Sequence, residues 1–149
     1  MEADLLVLHN GALNVPEILE RWYKEESSSN YGAYIPFVGT VRDESGIEGL
    51  SFDVYEPILE SWYKAWEQKA ASKGAIIKMA HSKGDVLLHE SSYIAAVFSP
   101  KRRVALEFID EFVEDFKASA PIWKYDLLDG KRVYAKDRST AINGSGLLA

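Results

Sequence analysis

"SPKRRVALEFIDEFVEDFKASAPIWKYDLLDGKRVYA", residues 99–135, holds one long helix followed by a hairpin. Val104, Ala105, Phe108, Ile109, Phe112, Val113 and Phe116 recur at helical spacing and form one apolar stripe. Glu107, Asp110, Glu111, Glu114 and Asp115 are expected to face away from it. Ser99 reads as the N-cap, Pro100 as the first helical residue, and the helix runs to about Ser119. Beyond it, "APIWKYDLL" and "KRVYA" flank Asp129-Gly130, a two-residue turn signal, and predict a β-hairpin.

Upstream the pattern repeats in kind. "DLLVLH" (4–9) reads as a first strand, and "NVPEILERWYKEE" as a helix with Asn14 as N-cap. "GAYIPFVGTVR" (32–42) is a strand whose Pro36 points to an edge or a bulge. "DESGIEG" is a polar, turn-rich loop, expected to be mobile. "LSFDVYE" (50–56) alternates as a half-buried strand does. "PILESWYKAWEQKAASKG" (57–74) is helical, with Leu59, Trp62, Tyr63 and Trp66 on one face. "AIIKMAHS" and the "VLLHESSYIAAVFS" region read as two further strands, the second long enough to bend. The order β-α-β-β-α-β-β-α-β-β predicts an α+β fold with a mostly antiparallel sheet and three helices.

The main helix starts with the wrong charge. Lys101, Arg102 and Arg103 stand where the helix dipole is positive and acidic residues are preferred. A bound anion would explain them, since free helix N–H groups and arginines together make a phosphate site. A solvated helix face is the bland alternative. Residues 1–98 carry 8 basic and 15 acidic side chains, and residues 99–149 carry 9 and 8, giving −7 and +1 for a net charge of −6. That balance argues against a nucleic-acid binder and suits a small anionic ligand. Other basic residues also stand at element ends: Arg42, Lys117, Lys124, Lys131, Arg132, Lys136 and Arg138. A lysine among other cations can serve as base or nucleophile.

The 149 residues suit one domain, with a loose tail at 138–149. No apolar run reaches the length of a membrane span, and the acidic start is not a signal peptide, so a cytoplasmic location is expected. There is no cysteine, hence no disulfide and no cysteine nucleophile. His9, His81 and His89 lack metal-ligand spacing, and His81 and His89 are expected to be partly buried structural residues. No phosphate loop, nucleotide fingerprint or G-x-S-x-G elbow is present. No metal or cofactor is expected.

"FVGTVRDES", "SFDVYEPILES", "HSKGDVLL" and "VFSPKRRVALEFIDEFVEDFKASAPIWKYD" follow one another in an order and spacing that resemble the large, catalytic subunit of molybdopterin synthase. The resemblance covers about residues 30–138, and its most specific pieces are G-x-V-R and K-x-x-A-P-x-W-K. It implies an α/β hammerhead-like fold and a homodimer. Each large subunit would bind a small ubiquitin-like subunit ending in Gly-Gly, giving a heterotetramer. It also implies an enzymatic sulfur transfer, from the small subunit's C-terminal thiocarboxylate to cyclic pyranopterin monophosphate, that makes the dithiolene of molybdopterin. By position, Lys117 and Lys124 would be catalytic, and Arg42, Lys101 and Arg102 would hold the anionic substrate. Lys136 and Arg138 compete for a role reaching the neighbouring protomer. The family often has His-Arg where this chain has Lys101-Arg102. The alternative is a non-catalytic module that captures a ubiquitin-like tail along an edge strand.

Overall fold

A computed structural model describes residues 6–44 and 46–134; the expected loose tail, Lys136 and Arg138 lie outside them. Ten elements appear in the expected order. They are β1 (Leu6–Asn10), α1 (Val15–Glu26), β2 (Ala33–Thr40), β3 (Gly49–Val54), α2 (Glu56–Ala71), β4 (Ile76–Leu87), β5 (Ser91–Ser99), α3 (Arg102–Ser119), β6 (Ile122–Leu128) and β7 (Lys131–Tyr134). The strands form one sheet in the order β2-β5-β4-β3-β6-β7, with β1 also on β4. Only the β1–β4 pairing among these is parallel.

Alternation along β4 explains the layers. Ile77 and Met79 face α2 and α3, whose Leu59, Tyr63, Trp66, Phe108 and Phe112 complete the larger core. Ala80 faces the opposite way, toward Leu13, Ile18 and Trp22 beside and along α1. Between them β5 is buried along its whole length, as a central strand covered on both faces must be. β2 is the edge, and Pro36 is tolerated there because no further strand needs its missing N–H. A register shift at Gly39/Thr40 ends the β2–β5 ladder.

Several local expectations change. Val86 and Leu87, expected to open the next strand, close β4 instead: β4 pairs with β1 over Met79–Lys83 and with β3 over Gly84–Leu87. Gly84, at φ +78°, marks the change of partner, in a conformation that an L side chain resists. The turn to β5 then falls at Leu88–Glu90, where His89 is exposed with φ 69° and not buried in a strand. His81, expected to be partly buried, is buried almost completely. Ser99 is not the helix cap. It is the last residue of β5, and its hydroxyl donates to the Lys101 carbonyl; Lys101 takes the N-cap place without any side-chain capping bond. In the loop expected to be mobile, Ile47 is buried and the Glu48 N–H donates to the Leu127 carbonyl. The Asn14 cap and the Asp129-Gly130 turn form as read: Asn14 accepts from the Glu17 N–H, and both turn residues have positive φ.

Candidate active site

Three of the basic residues are brought together by strand register and ring contacts. Val41 follows β2 and packs in one small cluster with Phe52 and Val86, which places Arg42 at that cluster's rim. Lys124 is the direct cross-strand partner of Phe52, so the two side chains leave the sheet on the same face. The Phe52 ring meets His81 edge-on at 5.0 Å, and His81 lies 5.5 Å from Phe116. Phe116 stacks on Tyr93 at 4.2 Å, and the next residue is Lys117. Phe52, His81, Tyr93 and Phe116 thus form one ring cluster, with Lys124 across the strand from Phe52 and Lys117 and Arg42 each one residue along the chain from a side chain that packs at it.

The three cations differ in surroundings. Arg42 is well exposed, its Nη2 3.5 Å from the Glu44 carboxylate. Lys117 is exposed, and Lys124 is half-buried, although a hairpin lysine would ordinarily be fully solvated. Lys117 also lies near the C-terminal end of α3, where a cation is favoured by the dipole. Beneath them burial pushes the His81 imidazole down to about 4, against the opposing effect of its backbone contact with Ser82. The neutral ring bears its proton on Nδ1, donating to the Ser82 carbonyl at 2.7 Å. His81 therefore contributes shape, not charge, at neutral pH.

Lys101 and Arg102 stand elsewhere. The β2–β5 register runs from Ala33↔Ser99 to Thr40↔Ser91. That separates Arg42 from the helix start by about 24 Å of strand. Along α3, Arg102 and Lys117 are about 22 Å apart. One chain therefore cannot place Arg42, Lys101 and Arg102 on the same phosphate. Lys101, Arg102 and Arg103 are all exposed, and no acidic residue lies in the first turn of α3.

Two polar features escaped the sequence reading. Asp115 was expected to face solvent, yet its Oδ2 accepts from the Trp62 and Trp66 indole N–H groups, each at 2.8 Å. The signal was there in two tryptophans one turn apart, since buried indole N–H groups need an acceptor. Lys78 is completely buried under α1 and paired with Glu25 at 2.8 Å and Glu26 at 3.0 Å. No group of three or more metal-ligating side chains occurs among the described residues. No described helix is long and apolar enough to cross a membrane.

The mostly antiparallel sheet with its three helices is a fold that this chain shares with solved chains of molybdopterin-converting factor and molybdopterin synthase. The family model "MoaE protein" matches residues 8–119. The molybdopterin synthase catalytic subunit of Helicobacter pylori (strain ATCC 700392 / 26695) is 49% identical over 145 residues, covering 97% of this chain and 100% of that protein. The Dictyostelium discoideum molybdopterin synthase catalytic subunit is 31% identical, covering 71% and 72%. A solved complex of subunits 1 and 2 of the H. pylori 26695 molybdopterin-converting factor contains a chain that matches with a TM-score of 0.91 and 49% identity, covering 97% and 99%. A molybdopterin synthase structure from Staphylococcus aureus shares the fold alone, with a TM-score of 0.73 at 23% identity over 90% and 97% of the two chains. The chain belongs to the MoaE family.

Proposed function

We propose that this chain is the catalytic subunit of a molybdopterin synthase. In this reading it moves sulfur from the thiocarboxylated C-terminus of a small ubiquitin-like subunit to cyclic pyranopterin monophosphate. The reading is supported by 49% identity to a named catalytic subunit over nearly the whole chain, together with a ring cluster of Phe52, His81 and Phe116 that has Lys124 across the strand from Phe52 and Lys117 next to Phe116. The absence of cysteine is consistent with it, because the sulfur comes from the partner.

The thiocarboxylate sulfur attacks an electrophilic substrate carbon as a C–O bond at that carbon breaks; the oxygen leaves with the electron pair, taking up a proton or staying on the phosphate, and the two molecules are joined through a thioester. Water then adds to the thioester carbonyl, and the tetrahedral oxyanion collapses. The C–S bond breaks, leaving sulfur on the pterin and a carboxylate on the partner. Lys117 and Lys124 stabilise that oxyanion, which is the step where positioned cations contribute most. One of them moves a proton during collapse. Arg42 holds an anionic group of the substrate.

Lys101 and Arg102 join the site from a second copy of the chain. Their distance from Lys117 within one chain requires this if all five residues serve one substrate. A homodimer with a small subunit on each copy, a heterotetramer, follows; the H. pylori neighbour is itself a complex of two subunits. Lys136 and Arg138 would act in the same shared region. Simple capture of a ubiquitin-like tail needs neither lysine. The location is proposed to be cytoplasmic.

The test is a single-turnover assay with the thiocarboxylated small subunit and cyclic pyranopterin monophosphate, read as fluorescence of the oxidised product. Lys117→Ala is expected to fold, bind the small subunit and lose nearly all product. Normal product from that variant would remove Lys117 from the mechanism.

A further inference from the structure

Asp115 is a carboxylate in an unfavourable place. It lies near the C-terminal end of α3, where the dipole disfavours negative charge, and it is partly buried. Partial burial raises its pKa, but the Trp66, Trp62 and Ser119 donors and the Lys69 cation outweigh that, and the carboxyl titrates below its ordinary value. Oδ2 takes both indole N–H groups, and Oδ1 takes the Ser119 hydroxyl at 2.9 Å. Lys69 lies over the Trp66 ring at 4.6 Å.

This joint adds something that the apolar core does not. Phe108 and Phe112 already hold α3 against Trp66, at ring distances of 5.8 and 5.4 Å. Apolar contact is non-directional and tolerates small rotations of a helix about its axis. Hydrogen bonds are directional and do not. Successive helical residues turn by about 100°. With Asp115 pointed at α2 and Phe116 at Tyr93 and His81, Lys117 is carried about 200° round from Asp115, away from α2.

We propose that Asp115 is the positioning residue for Lys117: its bonds to Trp62 and Trp66 of α2, with Ser119 of its own helix orienting the carboxylate, fix the rotation of the end of α3 and so aim the lysine at the reacting carbonyl. The inference rests on the catalytic reading of Lys117. Misplacing a catalytic group by about 1 Å costs up to about a hundredfold in rate.

The experiment is a double-mutant cycle in the same single-turnover assay, with enzyme in excess and long sampling so that slow residual rates are measured. Asp115→Ala is expected to lower the rate of product formation at saturating small subunit by about tenfold or more, with the small subunit's half-saturating concentration little changed. Asp115→Asn keeps a carbonyl acceptor for the indoles and should recover most of that loss. In a Lys117→Ala background, Asp115→Ala should cost nothing further. Equal losses in both backgrounds would overturn the proposal, as would an undiminished rate in folded Asp115→Ala. If Asp115→Ala does not fold, Trp62→Phe with Trp66→Phe removes the donors instead, and the same outcomes decide. A normal rate in Lys117→Ala alone would defeat the catalytic reading itself, and that result is separately recognisable.

Discussion

At the residue scale, two buried ionisable side chains set how the chain responds to pH and mutation. His81 titrates near 4 in the folded chain and near 6.5 when unfolded. Between those values the unfolded state binds more protons. Stability is therefore full above about pH 6.5 and falls as the pH drops toward 4, by on the order of 3 kcal/mol. Urea unfolding of the native chain at pH 7.5 and pH 4.5 should show the decline, and His81→Phe should flatten it. A slope unchanged in that variant would assign it to other groups. Lys78 makes the opposite point, because a buried cation is tolerable only while its partners stay. Lys78→Ala leaves Glu25 and Glu26 facing each other beside an empty space and should destabilise by about 3–5 kcal/mol. Lys78→Met fills more of the space, and chemical denaturation should rank it between the two. Neither residue was legible as a special site in "AIIKMAHS", because apolar neighbours in a strand predict burial without showing which side chain finds a partner.

At the element scale, α3 combines a clear signal with a contrary one. Its apolar stripe was readable because Phe108 and Phe112 must meet the sheet whatever else happens. Its start was misread, because Ser99 and Pro100 have the right types for a cap but belong to the end of β5 and the link after it. The basic first turn remains electrostatically unfavourable in the isolated chain. Arg103→Glu should raise the stability of the lone subunit by about 0.3–1 kcal/mol at low salt. Thermal melts with and without added salt check this, since screening should remove the gain. The β6–β7 turn gives a simpler case. Gly130 has φ +72° with open space around the missing side chain, so Gly130→Ala should destabilise through backbone strain alone, by about 1 kcal/mol.

At the scale of the whole molecule, the separation of Arg102 from Lys117 is the decisive fact for function. If the site is shared between two copies, neither Lys117→Ala nor Arg102→Ala alone should turn over substrate well. Co-refolding them in equal amounts makes mixed dimers in which one of the two sites carries both native residues. With half the dimers mixed, about a quarter of native turnover should return. No recovery, with mixed dimers demonstrated by mass spectrometry, would mean that each copy works alone and that Arg102 acts outside the site. The fold class and element order were readable from periodicity and turn signals. The separation of Arg102 from Lys117 and Arg42 was not, because nothing local in "SPKRRVALEF" says which end of the sheet it occupies.

The sequence by itself determined the class of element at nearly every position, the apolar faces of α2 and α3 and the Asp129-Gly130 turn. Each follows from side-chain spacing or backbone preference within a few residues. It also supplied the pieces that resembled a family, to which the chain belongs. Only the tertiary structure decided which distant residues meet. Strand register set Lys124 opposite Phe52, and the packing of α3 on the sheet brought Lys117 to the Arg42 end. Helix-to-helix contact turned Asp115 inward to two indoles. Those outcomes depend on pairings between segments 30 or more residues apart, which no local pattern encodes.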